Sequence, residues 1–122
     1  MTTKDLLVYG ERTFDPRTTM NQIILGCVES KKIDEFFSWG VSKQINVLTD
    51  KHGDDVGMIL KMNHPNFDDL LLITLGWDDL YVVRFVTDDG VKNEIEGLYF
   101  DQLFDVVNNT LMKMFKMEFN MN

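Results

Sequence analysis

The sequence predicts an α+β fold with an N-terminal helix, an antiparallel meander of four or five strands, and a C-terminal amphipathic helix packed on one face of the sheet. Apolar residues recur at helical spacing near both ends of the chain, whereas in the middle they alternate with polar residues, which is the period of a strand. The turns between the alternating segments are short and rich in Asp, Gly and Asn. With 122 residues, the whole chain (1–122) is expected to form a single domain.

The N-terminal helix is predicted from about residue 17 to residue 38. It follows Asp15-Pro16, where Asp is a favourable N-cap and Pro a favourable first residue. The apolar residues at helical spacing are Met20, Ile23, Ile24, Cys27 and Val28. The pattern changes phase at residues 30–32, so we expect one kinked helix or two short helices. A strand at residues 23–28 is an open alternative, because a short apolar run does not separate helix from strand by its period.

Alternation and turn residues define the strands of the sheet. We expect strands at residues 44–49, 56–62, 70–75, 80–87 and 91–96. The tripeptide Asp88-Asp89-Gly90 is a strong hairpin signal, because Asp-Gly supplies the positive φ angles that two-residue turns need.

The C-terminal helix has one apolar stripe at spacings of three and four residues. The stripe comprises Phe100, Leu103, Phe104, Val107, Leu111, Met114 and Phe115. It needs a common interface with the fourth predicted strand. The residues predicted to be buried there are Val83, Phe85, Leu103 and Val107. The tail from residue 116 is expected to add an edge strand or to fray.

The net charge of −8 is concentrated in one part of the sequence. Residues 50–105 contain thirteen acids and four bases, a net charge of −9, whereas the other residues sum to +1. Such an acidic region argues against direct DNA binding, which needs clustered Lys and Arg to displace counterions. The charge serves either solubility or a basic protein partner, and both explanations stay open.

Paired aspartates in the predicted turns are the candidate residues for binding a protein partner. They are Asp54, Asp55, Asp78, Asp79, Asp88 and Asp89. In a meander, successive loops lie at alternate ends of the sheet. The first two pairs are therefore expected at one end, and the Asp88-Asp89 and Asp68-Asp69 pairs at the other. Both ends of the sheet are predicted to be negative.

The sequence offers no catalytic, metal-binding or cofactor-binding pattern. His52 and His64 are the two histidines, and both are expected to be exposed turn residues, without the spacing of a calcium loop or a zinc site. Cys27 is expected to be a buried apolar residue. The glycines form no phosphate loop, and the serines lie in no nucleophile elbow. We therefore expect no enzyme activity, no metal and no cofactor.

The expected location is the cytoplasm. A single cysteine excludes an internal disulfide and fits a reducing compartment. The apolar run at residues 6–9 is too short for a signal peptide. No apolar run approaches the ~20 residues that span a bilayer, so we expect no membrane association.

Two alternatives to an acidic binding surface stay open. The first is a single-stranded nucleic-acid-binding accessory protein, in which aromatic side chains stack on bases within a basic groove. The aromatic residues are Phe36, Phe37 and Trp39, and the nearby positive charges are Lys31, Lys32 and Lys43. The second is a structural or assembly module that forms a homodimer through an exposed sheet edge.

Two linked motifs occur within about residues 58–111: a hairpin pattern ITLxxxDxYxVxF and a helix start GxYxxxL. Their positions here are Ile73, Thr74, Leu75, Asp79, Tyr81, Val83 and Phe85, then Gly97, Tyr99 and Leu103. Together they resemble a family of small α+β proteins of unknown function that are encoded by bacteriophages and plasmids. The resemblance implies an origin in a mobile element, and it implies neither an activity nor functional residues.

The sequence as a whole favours binding over catalysis. The first hypothesis is a small, acidic, non-enzymatic accessory protein, encoded by a phage or another mobile element, that binds the basic surface of a host or phage protein. In its sharpest form the protein is an anti-CRISPR or similar inhibitor of a host defence nuclease, and its aspartate pairs imitate spaced DNA phosphates.

Overall fold

The computed structural model describes residues 3–41 and 45–120, with side chains described within residues 5–41 and 45–114. The helices in these residues are α1 (Thr3–Leu6), α2 (Pro16–Glu29), α3 (Ile33–Ser38) and α4 (Leu103–Asn120), and 3₁₀ turns cover Leu7–Tyr9 and Phe100–Gln102. The strands are β1 (Asn46–Thr49), β2 (Asp55–Lys61), β3 (Leu70–Leu75), β4 (Tyr81–Thr87) and β5 (Gly90–Leu98).

The five strands form one antiparallel sheet in the order β1-β2-β3-β4-β5, which confirms the predicted meander. Strand β3 has the predicted bounds, whereas β5 continues past Glu96 to Leu98. The β4–β5 turn comprises Asp88 and Asp89, and neither has a positive φ; the positive φ expected from the Asp-Gly signal, 114°, occurs at Gly90, the first residue of β5. Gln44, the predicted start of the first strand, lies outside the described residues.

Residues 16–38 form two helices, so the strand alternative for residues 23–28 is wrong. Asp15 caps α2 by accepting a hydrogen bond from the amide of Arg17 at 3.0 Å. Helices α2 and α3 are separated where the apolar pattern changes phase. Lys31 there adopts a φ of 58°, and a left-handed residue at this position ends a helix.

Helices α2, α3 and α4 pack on one face of the sheet and form the larger core. The four residues predicted to meet there are all fully buried, which confirms the interface: Val83, Phe85, Leu103 and Val107. Cys27 is buried in the same core, also as predicted. Gly26 allows α2 to approach α4 closely, because a Cβ atom at this position would lie 3.1 Å from the Cβ atom of Phe104.

The opposite face of the sheet has a smaller core, which the sequence did not predict. It comprises Leu6, Leu48, Val56, Ile59, Leu72 and Val86, and Leu7 and Tyr9 pack against it. Helix α1 and the 3₁₀ turn after it therefore cover this face. Val56 reaches it because the β1–β2 register shifts beside Leu48, and a bulge of this kind inserts one extra residue in a strand.

Residues 10–15, which we call the crossing segment, pass over one end of the sheet and connect its two faces. Two backbone hydrogen bonds fix their path. The Arg12 amide donates to the Leu75 carbonyl at 3.0 Å, and the Phe14 amide donates to the Asp55 carbonyl at 3.1 Å. The crossing segment thus holds Glu11 beside the turn that joins β3 to β4.

Helix α4 continues to Asn120, so the edge strand considered for the tail from residue 116 is wrong. None of the helices in the described part of the chain is long and apolar enough to cross a bilayer.

Candidate functional site

The meander places the paired aspartates at two ends of the sheet. The β1–β2 turn (50–54), the β3–β4 turn (76–80) and the crossing segment lie at one end, which we call the Trp77 rim. The β2–β3 loop (62–69) and the β4–β5 turn (88–89) lie at the other end, which we call the Asp88 rim.

The β1–β2 turn of the Trp77 rim is held by Asp50. Its Oδ1 atom accepts hydrogen bonds from the amides of His52 at 2.9 Å and Asp54 at 3.0 Å. These bonds, with that of Asp54 the stronger influence, hold the pKa of the Asp50 carboxyl below its usual range. Asp54 is exposed, whereas Asp55 is half-buried in β2 and accepts a hydrogen bond from the Thr49 hydroxyl at 3.3 Å. Of this pair, Asp54 is therefore the residue presented to solvent.

The β3–β4 turn presents a second aspartate pair with two different environments. Asp78 Oδ1 accepts a hydrogen bond from the amide of Leu80 at 3.1 Å, which fixes the carboxylate on a rigid turn. Asp79 has a φ of 66° and forms an ion pair with Arg12 of the crossing segment. The charge of Asp79 is therefore partly neutralised within the protein, while Asp78 remains exposed.

Beside this turn, an exposed tryptophan and three carboxylates line an open cavity of about 320 Å³. The lining residues are Glu11, Gly76, Trp77, Asp78, Val82, Glu96 and Gly97. Trp77 is 75% exposed, and its amide donates to the Glu11 carboxylate at 3.2 Å. All seven lining residues are described, and none of them is a lysine or an arginine. The sequence identified only Asp78 of this group; a tryptophan inside an Asp-rich turn was the available signal for Trp77, and no local signal pointed to Glu11 or Glu96.

Glycine at position 76 keeps two of these carboxylates close together. A Cβ atom there would lie 2.8 Å from Asp78 Oδ1 and 3.4 Å from Glu11 Oε2. The first distance is shorter than real Cβ contacts, so a larger residue would force the Asp78 carboxylate to move. Glu96 comes from β5 on the neighbouring side, and its pKa is raised, first by a hydrogen bond with Glu94 and then by the negative charge of that residue.

A buried arginine lies in the sheet near this rim. Arg84 is 7% exposed, and its guanidinium donates to Glu94 at 3.2 Å and to the Thr74 hydroxyl at 3.1 Å. The guanidinium carbon lies 4.5 Å from the centre of the Tyr9 ring, within the range of a cation–π interaction. Arg84 is therefore satisfied internally.

On the Asp88 rim, lysines accompany the aspartates. Asp68 forms an ion pair with Lys61 at 2.8 Å, and Asp89 lies 3.8 Å from the ammonium of Lys92. The amide of Asp89 also donates to the Thr87 hydroxyl at 3.2 Å. Two aspartates of the Asp88 rim are therefore accompanied by lysines, whereas no lysine or arginine lines the cavity of the Trp77 rim.

The prediction that both histidines are exposed is wrong for His64, which is buried; His52 is exposed. The β2–β3 loop folds back beneath α4, where the side-chain amide of Asn66 donates to the Leu111 carbonyl at 2.9 Å. His64 Nδ1 accepts a hydrogen bond from the Asn66 amide at 3.0 Å. Burial lowers the pKa of His64. Across the described residues, no three His, Cys, Asp or Glu side chains are grouped to bind a metal ion.

The alternative aromatic site is not assembled as a stacking surface. Trp39 is fully buried, stacks on Phe104 with ring centres 5.2 Å apart, and donates its indole N–H to Asn108 at 3.2 Å. Phe36 is half-buried against the same core. Phe37 is 72% exposed and is the member of the set available to a ligand. Lys43 lies outside the described residues.

Both edges of the sheet have features that limit pairing with another sheet. Strand β1 has only four residues and a register shift. Strand β5 is longer, but its pairing with β4 shifts register twice, and Lys92, Glu94 and Glu96 are exposed along it. Short edges, bulges and charges are the means by which natural sheets avoid edge-to-edge association.

The chain matches no family model, no curated protein and no solved structure.

Proposed function

We propose that this chain is a small, acidic, non-catalytic accessory protein that binds the basic surface of another protein through its Trp77 rim. The observation that carries the proposal is the cavity beside Trp77, where carboxylates from three separate segments meet without a lysine or arginine among the lining residues. The exposed Asp54 adds a further negative charge at the same end of the sheet.

The local geometry suits recognition of positive charge. Asp78 and the neighbouring turn are fixed by hydrogen bonds to the backbone, so their carboxylates lose little entropy when they meet Lys or Arg side chains. Charges arranged in this way govern the rate and specificity of association more than its total area does. Such binding weakens as salt concentration rises.

The sharper form of the proposal is an inhibitor of a nucleic-acid-binding defence protein. A protein that binds DNA must present clustered Lys and Arg, and rigid carboxylates compete for that same surface. The resemblance of residues 58–111 to small phage and plasmid proteins supports an origin in a mobile element, where such inhibitors are useful. The stacking alternative is less well supported, because Trp39 lies in the core.

The test compares two double variants, one on each rim. A partner captured from bacterial lysate is purified and titrated with the wild type, with Asp54→Asn/Asp78→Asn, and with the matched control Asp88→Asn/Asp89→Asn. Asn keeps the side-chain oxygen that accepts the Leu80 amide, so the turn at Asp78 is preserved. We expect the first variant to weaken binding by about tenfold or more and the control by much less.

Wild-type affinity is also expected to fall steadily between low and physiological salt, since the contacts are ionic. Equal binding by both variants, without salt dependence, would show that the acidic residues serve only solubility. A mobility shift of labelled single-stranded DNA by the wild type would support the nucleic-acid alternative instead.

A further inference from the structure

We propose that the cavity beside Trp77 binds the side chain of an arginine presented by a basic segment of the partner protein. This inference rests on the proposed function and names the group that the Trp77 rim recognises. It is based on the exposed indole, on the surrounding charge, and on the shape of the cavity.

The indole of Trp77 lies at the surface, outside both apolar cores. It is 75% exposed on a tight turn, and the two large clusters of buried residues do not include it. The ring of tryptophan is also the best of the natural side chains for a cation–π interaction.

The charge around the indole favours a positively charged group on the partner. Glu11, Asp78 and Glu96 reach the cavity from the crossing segment, the β3–β4 turn and β5. Arg12 pairs with Asp79, and Arg84 is buried against Glu94, and neither arginine lines the cavity. The three carboxylates therefore present negative charge that a cation from outside would offset.

The shape of the site favours arginine over lysine and over a metal ion. A guanidinium is flat, so it stacks on an aromatic ring while its N–H groups bond to carboxylates at its edge. A lysine ammonium is compact and strongly hydrated, and it gains less from such a surface. The carboxylates of the cavity are not grouped closely enough for metal coordination in the described part of the chain. An open cavity of about 320 Å³ is large enough for one long side chain.

The inference is tested with three labelled peptides of alternating sequence: arginine with glycine, lysine with glycine, and citrulline with glycine. Citrulline has the shape of arginine without its charge. Fluorescence anisotropy of the label measures the affinity of each peptide for the full chain. We expect the arginine peptide to bind most tightly, the lysine peptide several-fold less tightly, and the citrulline peptide least.

Four variants locate the binding. Trp77→Ala is expected to weaken the arginine peptide about threefold to thirtyfold, the range of a cation–π contact, whereas Trp77→Phe retains most of the affinity. Glu96→Gln should weaken it as well, and Asp89→Asn on the Asp88 rim should leave it unchanged. Trp77 is exposed, so its replacement should leave the melting temperature close to that of the wild type.

A second readout needs no peptide. The protein has two tryptophans, and Trp39 is fully buried, so collisional quenching of fluorescence reports on Trp77. With each quenching constant divided by that of free N-acetyltryptophanamide, caesium, a cation, should quench the wild type more strongly than iodide, and Glu11→Gln/Glu96→Gln should reduce that difference.

The outcomes separate this inference from the proposed function. If Asp54→Asn/Asp78→Asn weakens the arginine peptide while Trp77→Ala does not, the arginine cavity is wrong and the acidic rim still binds basic ligands. If neither variant changes the affinity, or if iodide quenches Trp77 as well as caesium does on this normalised scale, both proposals are wrong.

Discussion

The two faces of the sheet are covered in different ways. Three helices pack on one face over a large apolar core that includes the fully buried Phe85, Leu103 and Trp39. The other face is covered by one short helix and a 3₁₀ turn, and its buried surface includes the polar side chains of Thr74 and Arg84. The face under the three helices, which we call the helical face, therefore supplies most of the apolar burial that stabilises the fold. The opposite face, which we call the thin face, is connected to the candidate site by the crossing segment.

The largest effect is expected on the helical face. Replacing Leu103 with Ala removes a fully buried side chain where α4 meets the sheet, and should lower the free energy of unfolding by about 2–5 kcal/mol. The melting temperature should fall by roughly 10 °C or more. Chemical and thermal denaturation measure both values. A change of a degree or two would mean that α4 contributes little to the core.

A smaller effect is expected on the thin face. Leu6 is as buried as Leu103, but it belongs to a short segment that can open locally while the sheet and helices remain folded. Leu6→Ala should therefore lower the free energy of unfolding by about 1–2 kcal/mol, below the cost of Leu103→Ala. If the two substitutions lower the free energy of unfolding equally, the two faces unfold as one cooperative unit. The thin face is then as strongly coupled to the fold as the helical face is.

The smallest effect is expected at His64, in the β2–β3 loop beneath α4, and it depends on pH. Burial lowers the pKa of His64 from its ordinary value of 6.5, so in the folded protein this residue resists protonation. As the pH falls below about 7, the unfolded chain binds the proton first, and the free energy of unfolding decreases until the folded-state pKa is passed.

The matched control for this effect is His64→Asn. An asparagine side chain can accept the hydrogen bond of the Asn66 amide, as in an Asx turn, but does not titrate. The free energy of unfolding of the wild type should therefore fall relative to that of the variant between pH 7 and pH 5, by denaturation at each pH. Glu96 has a raised pKa and acts in the opposite direction, but it is present in both proteins and cancels. Parallel pH profiles would show that His64 is not the responsible group.

The features predicted correctly from the sequence depend on local signals. The apolar run of β3 and the Asp-Gly signal at the start of β5 occur within a few residues, so they can be identified without tertiary structure. The helix break at Lys31 was also visible as a change of apolar phase. The stripe of α4 identified its buried residues Leu103, Phe104, Val107 and Leu111, whereas Phe100, which was placed at its start, lies in the preceding 3₁₀ turn and is exposed.

The features that were missed depend on contacts between distant residues. The apolar run at residues 6–9 is too short to show the period of a helix or of a strand. The sequence therefore did not predict that α1 and the following 3₁₀ turn cover the thin face. Trp39 was considered a stacking residue because lysines are near it in sequence, whereas its partners in the core, Phe104 and Asn108, are far along the chain. The Trp77 cavity brings together Glu11, Asp78 and Glu96, and nothing in the sequence indicated that the crossing segment would reach that turn.

The crossing segment also constrains how this protein can evolve. Residues 10–15 join the thin cover to α2 and at the same time supply Glu11 to the cavity. An insertion there would alter both the docking of the first helix and the position of Glu11 in the proposed binding site, so few insertions are expected to be tolerated. Trp77 and Asp54 are exposed and can vary at little cost to the fold. Under the proposed function, adaptation to a new partner is therefore expected to change these exposed turn residues and to retain Glu11.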